Sequence, residues 1–235
     1  VTWQFQIRKK MHLLIIESKA PVSTPNRYRN EFGQLLEHAP FCERDINTPD
    51  FVAPNYNKEV EVKVKFDDGI QSYIYSHHPF DLVGWDGYYF PYTLNINDFM
   101  PITGKIHQPP PVHQTFQSNG FVICSFVPRL FDYHAKAIPA PYAHSNVDSD
   151  EIIFYSEGEF MSRKGMEKES ITLHPSGLPH GPQPGKIEES LCAKETNEIA
   201  FMIDTFKPLK KTAATNEIDD KNYPLSWLKN DLRSS

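Results

Sequence analysis

Prolines interrupt this chain about once every dozen residues, twenty in 235, and that spacing leaves no room for a fold built from long helices. Each proline fixes its own φ and removes a backbone donor, so the segment between two of them reads as a short strand or a turn. Aromatic residues make up 13% of the chain, with 16 Phe and 11 Tyr, a bias that suits a pleated, half-buried surface. The longest apolar stretches, Leu13–Ile16 and Phe121–Val127, are far too short to span a bilayer and read as buried strands.

The alternation of hydrophobic and polar residues predicts where the strands lie. Glu59 to Phe66 runs E-V-E-V-K-V-K-F, a period-2 pattern with one wet face, and Asp67-Asp68-Gly69 then turns the chain so that Gln71 to Ser76 pairs back. Further strands are expected near Met100–Ile106, Val112–Phe116, Phe121–Val127, Glu151–Ser156, Gly158–Met161, Ser170–Leu173 and Ile199–Thr205. Many short strands with turn signals between them predict a mainly β sandwich or barrel. One short helix is expected over Asn30–Glu37, capped by Asn26 or Asn30 and presenting Phe32, Leu35 and Leu36. Residues 1–20 read as two strands of a meander. Val1 to Ile16 has the pattern of strand interior with no turn before it, so an N-terminal portion is expected to be missing. The polar tail from Lys207 has one aromatic patch, Tyr223–Trp227, and is expected to pack as a short helix over the barrel or to fray.

Charge and cysteine usage narrow the classes of function. The net charge is −6, and no basic run is interleaved with aromatics, which disfavours a nucleic-acid partner. With no membrane span, a membrane partner is not expected either. Three widely spaced cysteines, Cys42, Cys124 and Cys192, argue against a disulfide framework and for a reducing, cytoplasmic setting.

Two stretches carry chemistry. In P-Y-A-H-S-N-V-D-S-D-E-I-I-F-Y-S-E-G (Pro141–Gly158), His144 and Glu151 stand on either side of a polar turn that enters an apolar strand, and Gly158 closes it. In L-H-P-S-G-L-P-H-G-P (Leu173–Pro182), a Pro-Ser-Gly turn swings His180 back towards the barrel. Together they resemble the two halves of the cupin signature, His-x-His, then Glu, then Gly, followed later by Pro-x-Gly-x-x-His. Asn146 stands where the second histidine of the first half would be, which leaves His144, Glu151 and His180 as three protein ligands. Two imidazoles and one carboxylate with open positions opposite are the arrangement associated with non-haem Fe(II) oxygenases. Asn146 is then either a residue supporting a ligand carboxylate or a turn-former.

The likeness goes further than the signature. V-G-W-D-G-Y-Y-F-P-Y (Val83–Tyr92), A-P-Y-A-H-S-N (Ala140–Asn146) and L-H-P-S-G-L-P-H-G-P together resemble the homogentisate 1,2-dioxygenase family, and R-Y-R-N-E-F-G-Q-L-L-E-H-A-P-F-C-E-R-D (Arg27–Asp45) sits where that family has its crossover between regions. The resemblance covers Leu14 to about Leu209 and corresponds to the C-terminal part of a family member. It implies a cupin-type double-stranded β-helix (a jelly-roll barrel) over residues 82–235, with residues 1–81 as the remnant of an N-terminal β region plus crossover. It implies Fe(II) held by His144, Glu151 and His180, a small hydroxylated aromatic acid and O2 as reactants, and a homo-oligomer.

The same resemblance places His174 near the substrate hydroxyl. Asp86, in W-D-G, stands where the family has a histidine proposed as base, and Phe160 stands where the family has a tyrosine near the substrate. Asp86 or His174 is expected to take the phenolic proton, although an aspartate of ordinary pKa is a weak base. Arg129 and Tyr133 follow the strand Phe121–Val127 and either meet a substrate carboxylate or, for Arg129, form a structural ion pair. His107 and His113 flank Q-P-P-P-V and line either a pocket mouth or a surface loop. Three functions are compatible with these residues: a homogentisate-type dioxygenase, a metal-dependent cupin acting on another hydroxylated aromatic acid, and a truncated, non-catalytic cupin module.

Overall fold

The computed structural model describes residues 5–50, 57–79 and 91–228. Asp86 and most of the aromatic loop around it lie outside the described residues. The chain forms two compact units, Val1–Glu17 with Arg44–Leu94, and Ser18–Glu43 with Asn95–Ser235. The division is interleaved, whereas the sequence reading places a single break after residue 81.

The first unit contains strands β1 (Ile46–Asn47), β2 (Val60–Phe66), β3 (Gly69–Tyr75) and β4 (Thr93–Leu94). β1 pairs with β4, and β2 with β3 through the Asp67–Gly69 turn, in register from Val60↔Tyr75 to Phe66↔Gly69. The alternation expected in β2 is present, with Val60, Val62 and Val64 partly buried between exposed Glu61 and Lys63.

The second unit is organised by one five-stranded antiparallel sheet. Its strands, with β7 (Arg129–Leu130) and β10 (Glu195–Thr196) forming a separate pair, are β5 (Gln114–Ser118), β6 (Phe121–Phe126), β8 (Asp150–Glu157), β9 (Ile171–His174) and β11 (Ile199–Thr205). The spatial order is β5-β6-β11-β8-β9, so the last strand in sequence lies at the centre of the sheet. The architecture is mainly β and cupin-like.

Successive side chains on a strand point to opposite faces, and the two faces here have different jobs. Phe121, Ile123 and Ile203 form a hydrophobic cluster joined by Phe116 and Ile152. Burying such side chains contributes roughly 1.5–3 kcal/mol each. The alternate positions Phe126, Glu151, Ile153, Tyr155, Ala200, Met202 and Asp204 line a cavity of about 850 Å³. A second packed centre joins Tyr28, Phe41, Phe99 and Phe116, with ring centroids 6.3–6.4 Å apart. The Tyr28 hydroxyl donates to the Gln114 carbonyl at 3.0 Å, tying the Ser18–Glu43 segment to β5.

Several expected elements differ. Asn30–Glu37 is not helical. The Asn30 side chain accepts from the Phe32 and Gln34 amides, Gly33 adopts φ +84°, and Arg29 bridges Leu35. An Asn that satisfies nearby amides, followed by a glycine in the left-handed region, makes a tight turn instead. Phe5 to Ala20 forms no regular strand among the described residues; Ile7 and Ile15 are exposed, and a strand needs a ladder partner to hold it. Met100–Ile106 and Gly158–Met161 are irregular. Gly158 ends β8 at φ +91°, and a Cβ there would lie 2.4 Å from the Asn197 carbonyl oxygen. The chain therefore turns away at Gly158. The tail forms two short 3-10 turns, Ala213–Glu217 and Tyr223–Trp227.

Candidate metal centre

Glu151 is the second residue of β8, 4% exposed, with its side chain on the cavity face. The two histidines arrive from segments outside the sheet. The His144 amide donates to the His180 carbonyl and the His180 amide to the His144 carbonyl, both at 2.8 Å, so the segments are joined at the ligand positions themselves. The Pro175–Leu178 turn sets this up. Gly177 sits at φ +78°, the Leu178 amide returns to the Pro175 carbonyl at 3.2 Å, and the Gly177 amide donates to Asn146 at 2.7 Å. A glycine of positive φ at the third position of a hydrogen-bonded four-residue turn is the chemistry of a type II turn.

Both imidazoles are prepared in the same way. His144 Nδ1 donates to the carbonyl of Tyr142 at 3.1 Å, and His180 Nδ1 to that of Leu178 at 2.9 Å. Each ring spends its proton on its own backbone two residues earlier, which leaves Nε2 with a lone pair. The two Nε2 atoms lie 4.0 Å and 3.5 Å from Glu151 Oε2. One ligand atom from each of the three residues falls within 4.8 Å of the others. His180 Nε2 is buried without a hydrogen-bond partner. Three potential electron-pair donors converging on one point, one of them an orphan, form an arrangement that a cation completes. The residues present therefore fit a metal ion.

The surrounding residues fix the carboxylate. Asn146 Nδ2 approaches Glu151 Oε2 at 3.4 Å, and His174 Nδ1 donates to Glu151 Oε1 at 2.7 Å. Burial raises the Glu151 pKa, but His174 and His180 more than offset it, so the carboxyl stays well below its usual range. Burial lowers the His174 pKa against the opposing pull of Glu151. At His180 the neighbouring Glu151 carboxylate dominates and raises it.

The other expected site residues are distributed unevenly. His174 is 3% exposed, is not part of the cavity wall, and has both ring nitrogens engaged, with Nε2 3.1 Å from the Tyr223 hydroxyl. It stands behind the carboxylate, with Glu151 on one ring nitrogen and Tyr223 on the other. Arg129 lines the cavity while paired with Glu198 at 3.0 Å. Tyr133 is 71% exposed and is not among the residues that line this cavity. Phe160 packs edge-on against Tyr155 at 4.6 Å and borders a separate concavity of about 760 Å³, away from the three ligands. Of the two readings of His107 and His113, the structure shows the cavity one: both line it, and His113 lies beside Phe126 with ring centroids 5.0 Å apart.

Sequence reasoning missed Asp204, Arg163 and Tyr223. Asp204 pairs in register with Glu151 across β11 and β8, its Oδ1 is buried without a partner, and burial together with Glu151 pushes its pKa up to about 6. Arg163 is 6% exposed, donates to the Gly181 carbonyl at 2.8 Å, and lies 5.4 Å from the Trp227 ring. The alternation of β11 already put Asp204 on one face with Ala200 and Met202. No local pattern marks the other two.

By sequence, the proteins this chain resembles carry the name dioxygenase. A candidate dioxygenase of Saccharolobus solfataricus is 46% identical over 228 residues, which is 96% of this chain and 59% of that protein. Homogentisate 1,2-dioxygenases of Nitrobacter hamburgensis and Bradyrhizobium diazoefficiens are 30% and 28% identical over 200 and 186 residues, covering 44% and 41% of their own lengths. The chain thus spans about two fifths to three fifths of these relatives. No family profile matches it.

Proposed function

We propose that this chain carries the metal-binding part of an Fe(II)-dependent, ring-cleaving dioxygenase of the homogentisate type, with His144, Glu151 and His180 as the iron ligands. The observation that supports it most is the convergence of two Nε2 lone pairs and one carboxylate oxygen within 4.8 Å at the wall of a large cavity. The names of the similar proteins point the same way. Bound iron would supply the open coordination positions at which a phenol oxygen and O2 meet.

The chain's own residues would do the rest. Ile153, Ala200 and Met202 give the cavity floor an apolar surface for an aromatic ring. The unpartnered Asp204 Oδ1 offers an acceptor to a ring hydroxyl, since a buried carboxylate oxygen without a donor is costly. Arg163, with its Nε lacking a partner, and Arg129 place positive charge on the wall for a substrate carboxylate. The roles of Asp86 as proton acceptor and Phe160 in substrate choice remain part of this reading.

Oxygen consumption after anaerobic loading with Fe(II) tests it. Uptake with homogentisate and appearance of a ring-opened product is the expected result. Uptake only with other dihydroxylated aromatic acids would move the reading to a different substrate. A folded, iron-loaded chain inert towards all of them would overturn it.

A further inference from the structure

The short turn Tyr223–Trp227 lies far from the ligands in sequence, yet three of its side chains engage the loop and strand that build the site. Trp227 Nε1 donates to the Gly181 carbonyl at 3.1 Å, immediately after His180. Ser226 Oγ accepts from Gln183 Nε2 at 2.6 Å. With the turn held in this way, Tyr223 stacks beside His174, ring centroids 6.3 Å apart and planes inclined by 23°, and its hydroxyl lies 3.1 Å from His174 Nε2. Trp227 closes the other side, edge-on to His174 at 6.4 Å and to Tyr223 at 5.2 Å.

We infer that Tyr223 is a positioning residue of the metal centre: its hydroxyl fixes the tautomer of His174, and His174 thereby fixes which oxygen of Glu151 faces the ion. This rests on reading His144, Glu151 and His180 as ligands. Glu151 Oε1 can only accept, so His174 Nδ1 carries the proton and the lone pair on Nε2 accepts from the Tyr223 O–H. The Nδ1 proton is then committed to Glu151 Oε1 at 2.7 Å. Oε1 is occupied, and Oε2 is left as the oxygen that meets His144 Nε2 and His180 Nε2. Burial raises the Tyr223 pKa, which keeps the hydroxyl a donor. Without it, Glu151 alone holds the proton on Nδ1, and the tautomer with the proton on Nε2 and a lone pair facing Oε1 gains population. In that tautomer two acceptors face each other, and only Asn146, 3.4 Å from Oε2, is left to restrain the carboxylate. Hydrogen bonds of this kind, one step removed from a metal, typically alter affinity by about 10–100-fold when broken.

The test uses the full chain, Tyr223→Phe, which removes one oxygen and keeps the ring, and Co(II) as the probe. Wild type should bind Co(II) with resolved ligand-field bands. Tyr223→Phe should bind it at least about tenfold more weakly, with shifted bands. In the metal-free protein, ¹⁵N NMR of His174 should show the Nδ1–H tautomer in wild type and a mixture in the variant. Unchanged affinity and bands in Tyr223→Phe, or an unchanged tautomer, would overturn the inference even if the variant loses stability. A folded wild type that binds no Co(II) would instead overturn the ligand reading on which it rests, and the tautomer measurement, made without metal, tells the two failures apart.

Discussion

His144 and His180 are hydrogen-bonded to each other through their main chains, amide to carbonyl in both directions at 2.8 Å. The spacing of the two ligand backbones is therefore fixed by main-chain hydrogen bonds, before the side-chain rotamers are chosen. Close approach of the two segments depends on Gly181, where a Cβ would lie 2.7 Å from Ala143 Cα. Gly181→Ala should push the segments apart and weaken divalent-metal binding, although no ligand is altered. A metal titration followed by calorimetry checks this; wild-type affinity in the variant would show that the pairing does not set the site.

Glu151 brings the only carboxylate among the three converging residues. Glu151→Gln keeps the shape and removes the charge, so it should abolish metal-induced stabilisation while leaving a folded apo-protein. A ligand present at one hundred times its Kd stabilises by about 2.7 kcal/mol, a shift in melting temperature that scanning calorimetry resolves readily. Addition of Fe(II) or Co(II) should raise the melting temperature of wild type and leave that of Glu151→Gln where it was.

These two cases show what was legible in the sequence. Turn chemistry is local, so Pro175, Gly177 and Gly158 marked where the chain reverses, and the apolar runs marked β6, β8 and β11 to within a residue or two. The same signals misled where two local tendencies competed. Phe32, Leu35 and Leu36 have helical spacing, but Asn30 and Gly33 close a turn through them. Convergence across the sheet is not local. Asp204 meets Glu151 because β11 enters between β6 and β8 in one register, and Tyr223 meets His174 because the tail folds back over the His180 loop. Neither register nor the path of a polar tail is written in hydrophobic periodicity.

His113 makes the fold sensitive to acid. Burial, with Arg129 and His107 nearby, lowers its pKa from 6.5 to about 3. A folded-state pKa below the unfolded one means that the unfolded chain takes up the proton first. The stability conferred by keeping this ring neutral is full above pH 6.5 and is lost progressively as the pH falls from about 6.5 towards 3. His113→Phe preserves an aromatic partner for Phe126 and cannot titrate. Its melting temperature should fall less steeply than that of wild type across this window. Parallel curves would show that the ring is solvated.

Gly158 sits at φ +91° with the Asn197 carbonyl against its missing side chain. An alanine there carries both the strain of a left-handed conformation and a clash with backbone that cannot move cheaply, so Gly158→Ala should destabilise by about 1–3 kcal/mol or more. Denaturant midpoints measured on apo-protein check the magnitude. A loss of a few tenths would mean that the end of β8 relaxes without cost.

Met202 and Ile203 are neighbours in β11 that serve opposite faces of the sheet, and they separate stability from site function. Ile203, 6% exposed, belongs to the cluster with Phe121 and Ile123. Met202 lies in the cavity wall between Ala200 and Asp204. Ile203→Ala should cost about 2–5 kcal/mol by removing buried methyl groups and leaving a void, while metal affinity stays at the wild-type value. Met202→Ala enlarges the cavity next to the ligands, so it should change the dissociation constant of an aromatic acid for the metal-loaded protein more than it changes affinity for the metal. Denaturation, metal titration and ligand titration on the same pair of variants decide the matter. If Met202→Ala left aromatic-acid binding untouched, the floor of this cavity would not be where the ring lies.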